Sequence, residues 1–163
     1  MKRAHEHRGR DTLAVVATLC RRFHLFARQL QDRHHDRATV SVADEYDVQD
    51  LMHALLRLHF EDVRAEEVTP SVAGKSGRMD FLLKAEKLVL ETKMTRRGLG
   101  QKEVGDELIV DMKRHRSHPD LRTLVCFVYD PGGFCRSPAA LENDLTGGDG
   151  RFRSVVIVCP RGM

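Results

Sequence analysis

The sequence predicts an α/β domain in which a mixed central sheet is flanked by helices, with elements in the order α-α-β-β-β-α-β-α-β. Three observations carry this. Two early segments, Leu13 to Leu30 and Val48 to Leu58, repeat apolar residues at helical spacing. Strand-like segments rich in Val, Leu and Phe follow, the last two separated by a short turn. After a further helical stretch comes Leu124-Val125-Cys126-Phe127-Val128, apolar without alternation, as in a strand covered on both faces.

The bulk properties set the frame. At 163 residues the chain suffices for one domain with a substantial core. Its 41% hydrophobic content excludes global disorder. Aromatics are sparse at 6% and tryptophan is absent, which argues against an aromatic-lined single-strand channel. A net charge of +3 permits a nucleic-acid partner without demanding one. The cysteines Cys20, Cys126, Cys135 and Cys159 show no CxxC spacing and read as buried free thiols of a reducing compartment. No signal-type segment and no apolar run near the ~20 residues of a membrane span is visible, so a cytoplasmic protein without a membrane partner is expected.

Met1 to Arg10 is polar and reads as loose. Asp11-Thr12 offers an N-cap for a first helix with the stripe Leu13, Val16, Leu19, Cys20, Phe23, Ala27 and Leu30, fading at Asp32 to Arg37. Phe26 lies beside that stripe, available as a packing or dimer contact. The second helix should begin near Asp44 to Asp47, with Val48, Leu51, Met52, Leu55 and Leu58, and at its end His59, on its apolar side. Strands follow at Asp62–Val68, Arg78–Leu83 and Lys87–Lys93, with a loop over Thr69–Gly77 and a tight turn at Lys84–Glu86 that makes the last two an antiparallel hairpin. Gly98-Leu99-Gly100 ends the third strand region. A helix over about Gln101–Arg116 presents Val104, Leu108, Ile109 and Met112 as its buried side and closes at His118-Pro119. Leu121–Tyr129 is the central strand, and the right-handed crossover rule sets it parallel to one meander strand. Pro131-Gly132-Gly133 is a loop, Ser137-Pro138 starts a short helix to about Asn143, Gly147-Gly148 is another loop, and Ser154–Val158 is the last strand.

The chemistry concentrates on two strands. Side chains alternate along a strand, so in Leu88-Val89-Leu90-Glu91-Thr92-Lys93 the carboxylate of Glu91 and the ammonium of Lys93 share one face with Val89. Asp80 stands on the neighbouring strand between Met79 and Phe81. Two converging carboxylates suit a hard divalent cation, and a lysine beside them suits phosphodiester hydrolysis by positioning or deprotonating water or by offsetting charge. The plain alternative is a cross-strand salt bridge on a solvated face; the apolar flanks favour a site.

Asp80, ten residues, then Glu91-Thr92-Lys93 resembles the PD-(D/E)XK motif of restriction-endonuclease-like nucleases, and Asp44 to Tyr129 resembles their α-β-β-β-α-β core, with an N-terminal extra helix and a C-terminal α-β extension. The segments Asp44-Glu45-Tyr46-Asp47-Val48-Gln49-Asp50-Leu51, Ser76-Gly77-Arg78-Met79-Asp80-Phe81 and Leu124-Val125-Cys126-Phe127-Val128-Tyr129-Asp130-Pro131 further resemble the branch allied to GATC-cutting type II restriction enzymes. On this reading residues 1–37 are an N-terminal helical arm and residues 38–163 the nuclease domain. The resemblance implies that Asp80, Glu91 and the carbonyl of Thr92 hold magnesium (Mg2+, with Mn2+ as a substitute), that Lys93 acts on the water, and that an acid of the preceding helix completes the site. Glu45 is the candidate and Asp47 the second; as acids of a first helical turn, both have an equally ordinary role toward the helix dipole. Met79 departs from the motif's proline.

Directly after the site, Arg96, Arg97, Gln101 and Lys102 are candidate phosphate contacts, the helix start near Gln101 adding backbone N–H groups; the alternative is a solvated basic loop. The nine histidines have no finger spacing and read as structural or surface residues. The resemblance implies a magnesium-dependent endonuclease that leaves 5′-phosphates, with DNA expected ahead of RNA, in restriction or phage defence. A homodimer, with the first helix as interface, would suit duplex cleavage. The rivals are a non-catalytic nucleic-acid-binding or assembly module on the same fold, and an RNA-directed toxin or effector nuclease.

Overall fold

The described residues form four α-helices and six strands, with one 3-10 turn at His34–Asp36: α1 (Lys2–Gln31), α2 (Glu45–Arg57), β1 (Val63–Val68), β2 (Arg78–Leu83), β3 (Leu88–Met94), α3 (Gln101–Arg116), β4 (Thr123–Tyr129), α4 (Pro138–Leu145), β5 (Gly147–Gly148) and β6 (Arg153–Cys159). The structure, a computed structural model, describes residues 2–68 and 77–161, and of residues 2–10 the backbone alone. The loop expected over Thr69–Gly77 lies, apart from Gly77, outside the described residues, as do the side chains of His5 and His7.

The strands form one mixed sheet in the order β1-β2-β3-β4-β6-β5. The meander β1-β2-β3 is antiparallel, while β4 runs parallel to both β3 and β6. The expected hairpin forms in the register Leu83 opposite Leu88. The central strand β4 is buried at every position, which explains its unbroken apolar run.

Burying a sheet on both faces requires two helical layers. On one side Val16, Cys20, Phe23 and Ala27 of α1 and Val48, Met52 and Leu56 of α2 pack with Phe81, Leu90, Phe127 and Ile157. Phe23 anchors this layer, its ring 5.2 Å from Phe127 and 5.0 Å from Tyr129. On the other side Val104 and Leu108 of α3 and Leu141 of α4 pack with Val89, Cys126, Val128 and Val156. All four cysteines are buried free thiols, as their apolar settings suggested.

Several expectations need correction. Helix α1 starts at Lys2 instead of Asp11; once the packed segment nucleates it, extension through Lys2 to Arg10 costs little per residue. Leu58 is the C-cap of α2 and 77% exposed. Gly147-Gly148 is a short strand on the edge of β6 instead of a loop. On α3, Ile109 is 41% exposed, while Asp111 and His115 are buried. The buried stripe is therefore Val104, Leu108, Asp111 and His115, polar in its second half.

Candidate active site

The antiparallel ladder between β2 and β3 runs from Leu83–Leu88 to Phe81–Leu90. One residue further, the Asp80 carboxylate bridges the strands: its Oδ2 accepts from the backbone N–H of Thr92 at 2.7 Å and from its hydroxyl at 2.9 Å. Alternation along β2 breaks here. Phe81 packs toward α1 and α2, whereas Met79 packs on the opposite face, and Glu66, which the β1 ladder passes over opposite Asp80, takes φ 55°.

Glu91 and Lys93 project from β3 toward α3. Glu91 is 3% exposed, and its Oε1 meets Nε2 of the fully buried His115 at 2.7 Å. Burial, then the neighbouring Asp80 and Asp111, push the Glu91 carboxyl up to about 9, against the pull of Arg114 and Lys93. Burial, then Arg114, push His115 down to about 3. Lys93 Nζ lies 3.4 Å from Glu107 and 3.6 Å from Asp111. Burial alone would lower the Lys93 pKa, but Asp111, Glu45, Glu107 and Glu91 together outweigh it and hold the ammonium charged.

The two acids proposed from α2 have separate fates. Asp47 closes a capping box: its Oδ2 accepts from the Asp44 N–H at 3.3 Å and from Ala43 at 2.8 Å. Glu45 instead reaches the end of β3, where it accepts from the Met94 N–H at 3.3 Å. Burial raises its pKa, Lys93 lowers it, and Asp80 raises it again. Asp80, Glu91, Lys93 and Glu45 are thus brought together.

The basic segment is arranged differently. Arg96 and Leu99 close a tight backbone turn, with Gly98 at φ 83° where an L side chain would be strained. Arg96, Arg97 and Lys102 are solvent-exposed. Gln101 Oε1 accepts from the Ser137 N–H at 2.8 Å, so that oxygen serves the fold. Gln101 and Lys102 line a shallow cleft of about 400 Å³ with Phe134, Arg136 and Ser137. Asp130 fixes this corner by accepting from Thr95 Oγ1 at 2.6 Å, Phe134 N–H at 2.8 Å and Cys135 N–H at 3.1 Å. A second cleft, between Arg21, His24 and Leu25 of α1 and the end of β6, lies on the other face and contains no paired carboxylates.

Sequence reasoning missed three residues of α3. Asp111 is 6% exposed, Arg114 binds it at 2.6 Å and stands 3.9 Å from Glu91, and His115 holds Glu91. The usable signal was the spacing 104, 108, 111, 115, which continues one helix face; Met112 packs against that core, whereas Ile109 drew attention to the exposed side.

These contacts lie on a sheet of the expected topology, and the family comparison decides the lineage of the fold. The family model REase_DpnII-MboI matches residues 14–161. The chain belongs to the DpnII-MboI restriction endonuclease family. That is a family of GATC-cutting type II enzymes, so the chain is a DNA nuclease of restriction type, and the matched span includes Asp80, Glu91 and Lys93 as well as the core of α1. No curated protein and no solved structure matches it. Among the described residues, no helix is long and apolar enough to cross a membrane.

Proposed function

We propose that this family member is a magnesium-dependent endonuclease that cuts duplex DNA at the Asp80–Glu91–Lys93 site and serves in defence against phage. The observation that carries it is an excess of acid around one lysine. Buried Glu91 and Asp111 are joined by half-buried Asp80 and Glu45 and by exposed Glu107, and among the described residues Lys93 and Arg114 oppose them. Crowded carboxylates in low dielectric resist ionisation, and the raised pKa values of Glu91, Asp111 and Glu45 express that resistance.

The residues fit a hard cation. Among the described residues no three His, Cys, Asp or Glu side chains form a ready-made cage, but magnesium needs only one or two carboxylates and keeps several waters. The bonds described above use Oδ2 of Asp80 and Oε1 of Glu91. The second oxygen of each, with the Thr92 carbonyl, would hold Mg2+, or Mn2+ in its place. The ion supplies a polarised phosphate and a more acidic water. The chain supplies the rest. Lys93, held charged by the acids around it, orients the water or offsets charge on the phosphoryl oxygens, and Glu45 lies in reach of the same lysine. Arg96, Arg97 and Lys102, with Gln101 beside them, contact the phosphates flanking the cut. Residues 1–37, expected as an arm, add a helix whose Val16, Cys20 and Phe23 pack into the core of the nuclease domain over 38–163. A homodimer, with α1 carrying the 71% exposed Leu25 as interface, would place two such sites on the two strands.

The test is incubation with plasmid DNA and with RNA, in magnesium or chelator, beside Lys93→Ala and Glu91→Ala. The reading expects magnesium-dependent cutting of DNA that both substitutions abolish. Cutting of RNA in preference to DNA would favour an effector nuclease, and absence of cutting would favour a binding module.

A further inference from the structure

We propose that α3 belongs to the catalytic apparatus, with His115 and Asp111 as positioning residues that hold Glu91 and Lys93 respectively; this rests on the nuclease reading above. His115 is fully buried with Nε2 2.7 Å from Glu91 Oε1. Asp111 is 6% exposed; Arg114 fixes its Oδ1 at 2.6 Å, and its Oδ2 has no hydrogen-bond partner among the described residues and faces Lys93 Nζ at 3.6 Å.

The geometry explains how two pairs form at once. Glu91 and Lys93 are one side-chain repeat apart on β3, about 7 Å along the strand. Asp111 and His115 are four residues apart on α3, about 6 Å along the helix. The helix runs opposite to the strand, so the later residue, His115, meets the earlier one, Glu91. One helical turn spans one strand repeat, and each partner is met without distortion.

A purely structural role is the rival. The first half of the α3 stripe, Val104 and Leu108, is apolar and packs well. Continuing it with apolar residues would avoid burying polar groups, which costs free energy unless each is paired. Instead, Asp111 and His115 each meet one member of the motif, even though His115 Nδ1 has no hydrogen-bond partner among the described residues. Hydrogen-bonded supports of this kind commonly set ligand orientation and affinity at metal sites.

The test uses the full chain. Mn2+ binding is measured by calorimetry without DNA, and kcat and KM are measured on a GATC-containing duplex, for wild type, His115→Ala, His115→Gln, Asp111→Asn and the exposed α3 control Asp106→Asn. Melting curves and circular dichroism confirm that each variant is folded. The expected result for His115→Ala is Mn2+ affinity weakened about ten- to a hundredfold, partly restored in His115→Gln, whose amide keeps a hydrogen bond to Glu91. Asp111→Asn, nearly isosteric, should lower kcat at least about tenfold with KM for DNA unchanged. Folded variants with wild-type Mn2+ affinity and wild-type kcat would overturn the proposal and leave the nuclease reading standing. Wild type that neither binds Mn2+ nor cuts would overturn both.

Discussion

Replacing Glu91 with Gln should stabilise the metal-free protein while destroying its activity. The Glu91 carboxyl is 3% exposed and its pKa stands at about 9 instead of 4.5, first because of burial and then because of Asp80 and Asp111. At pH 7 the unfolded chain has this group ionised, whereas the folded protein holds it protonated, so folding must take up a proton. That uptake costs about 3 kcal/mol at pH 7. The sign follows from a folded pKa raised above the unfolded one. Stability from this group is fully present below pH 4.5, declines as pH rises, and levels off above about 9. Gln carries no proton to lose and keeps a hydrogen bond to His115. For a chain of this size, about 3 kcal/mol corresponds to roughly 6–12 °C in Tm. Thermal melts of both proteins in chelator from pH 5 to 9 should show nearly equal Tm at the acid end and a growing advantage for Glu91→Gln toward the alkaline end. Magnesium should reverse the order, because only the ionised carboxylate gains from the cation. A gap that does not change with pH, or a variant that melts below wild type at pH 8 in chelator, would refute the burial-and-repulsion account of Glu91.

Phe23→Ala removes the ring that joins α1 to Phe127 and Tyr129 and should cost about 3–5 kcal/mol, read as a lower denaturation midpoint; a loss below about 1 kcal/mol would show that α1 is dispensable to the core. Asp130→Ala leaves the Phe134 and Cys135 N–H groups without their acceptor and Thr95 Oγ1 with the longer bond to the Tyr129 carbonyl alone, and should destabilise by about 3 kcal/mol while loosening the Lys102–Arg136 cleft, seen as faster hydrogen exchange over residues 131–137. Arg96→Ala and Lys102→Ala should each reduce the slope of log K against log salt for DNA binding by about 1, without changing kcat at saturating DNA.

The fold was largely legible because its signals were repetitive. The stripe of α1, the unbroken run in β4 and the tight turn before β3 each involve several residues that agree. The pair Glu91 and Lys93 was legible for the same reason, since strand alternation places them on one face. Asp80 needed the hairpin, which its register supplies. What escaped was single polar residues whose meaning depends on a distant partner. His115 sits in a run of Lys113, Arg114 and Arg116 that looks solvated, and only the packing of α3 onto β3 turns it inward to Glu91. Asp111 is likewise an ordinary acid of an amphipathic helix until Lys93 is set opposite. The choice between Glu45 and Asp47 also lay beyond the sequence, because both are first-turn acids; the capping box takes Asp47 and leaves Glu45 to reach Met94.

The central claim is that the Asp80–Glu91–Lys93 cluster performs hydrolysis and is more than a binding surface. Single-turnover cleavage of an end-labelled GATC duplex, at enzyme concentrations that saturate binding, separates the two directly. The account predicts rapid cutting by wild type in magnesium, and for Lys93→Ala an unchanged dissociation constant with cutting slowed at least about a hundredfold. A Lys93→Ala protein that binds and cuts at the wild-type rate would contradict it.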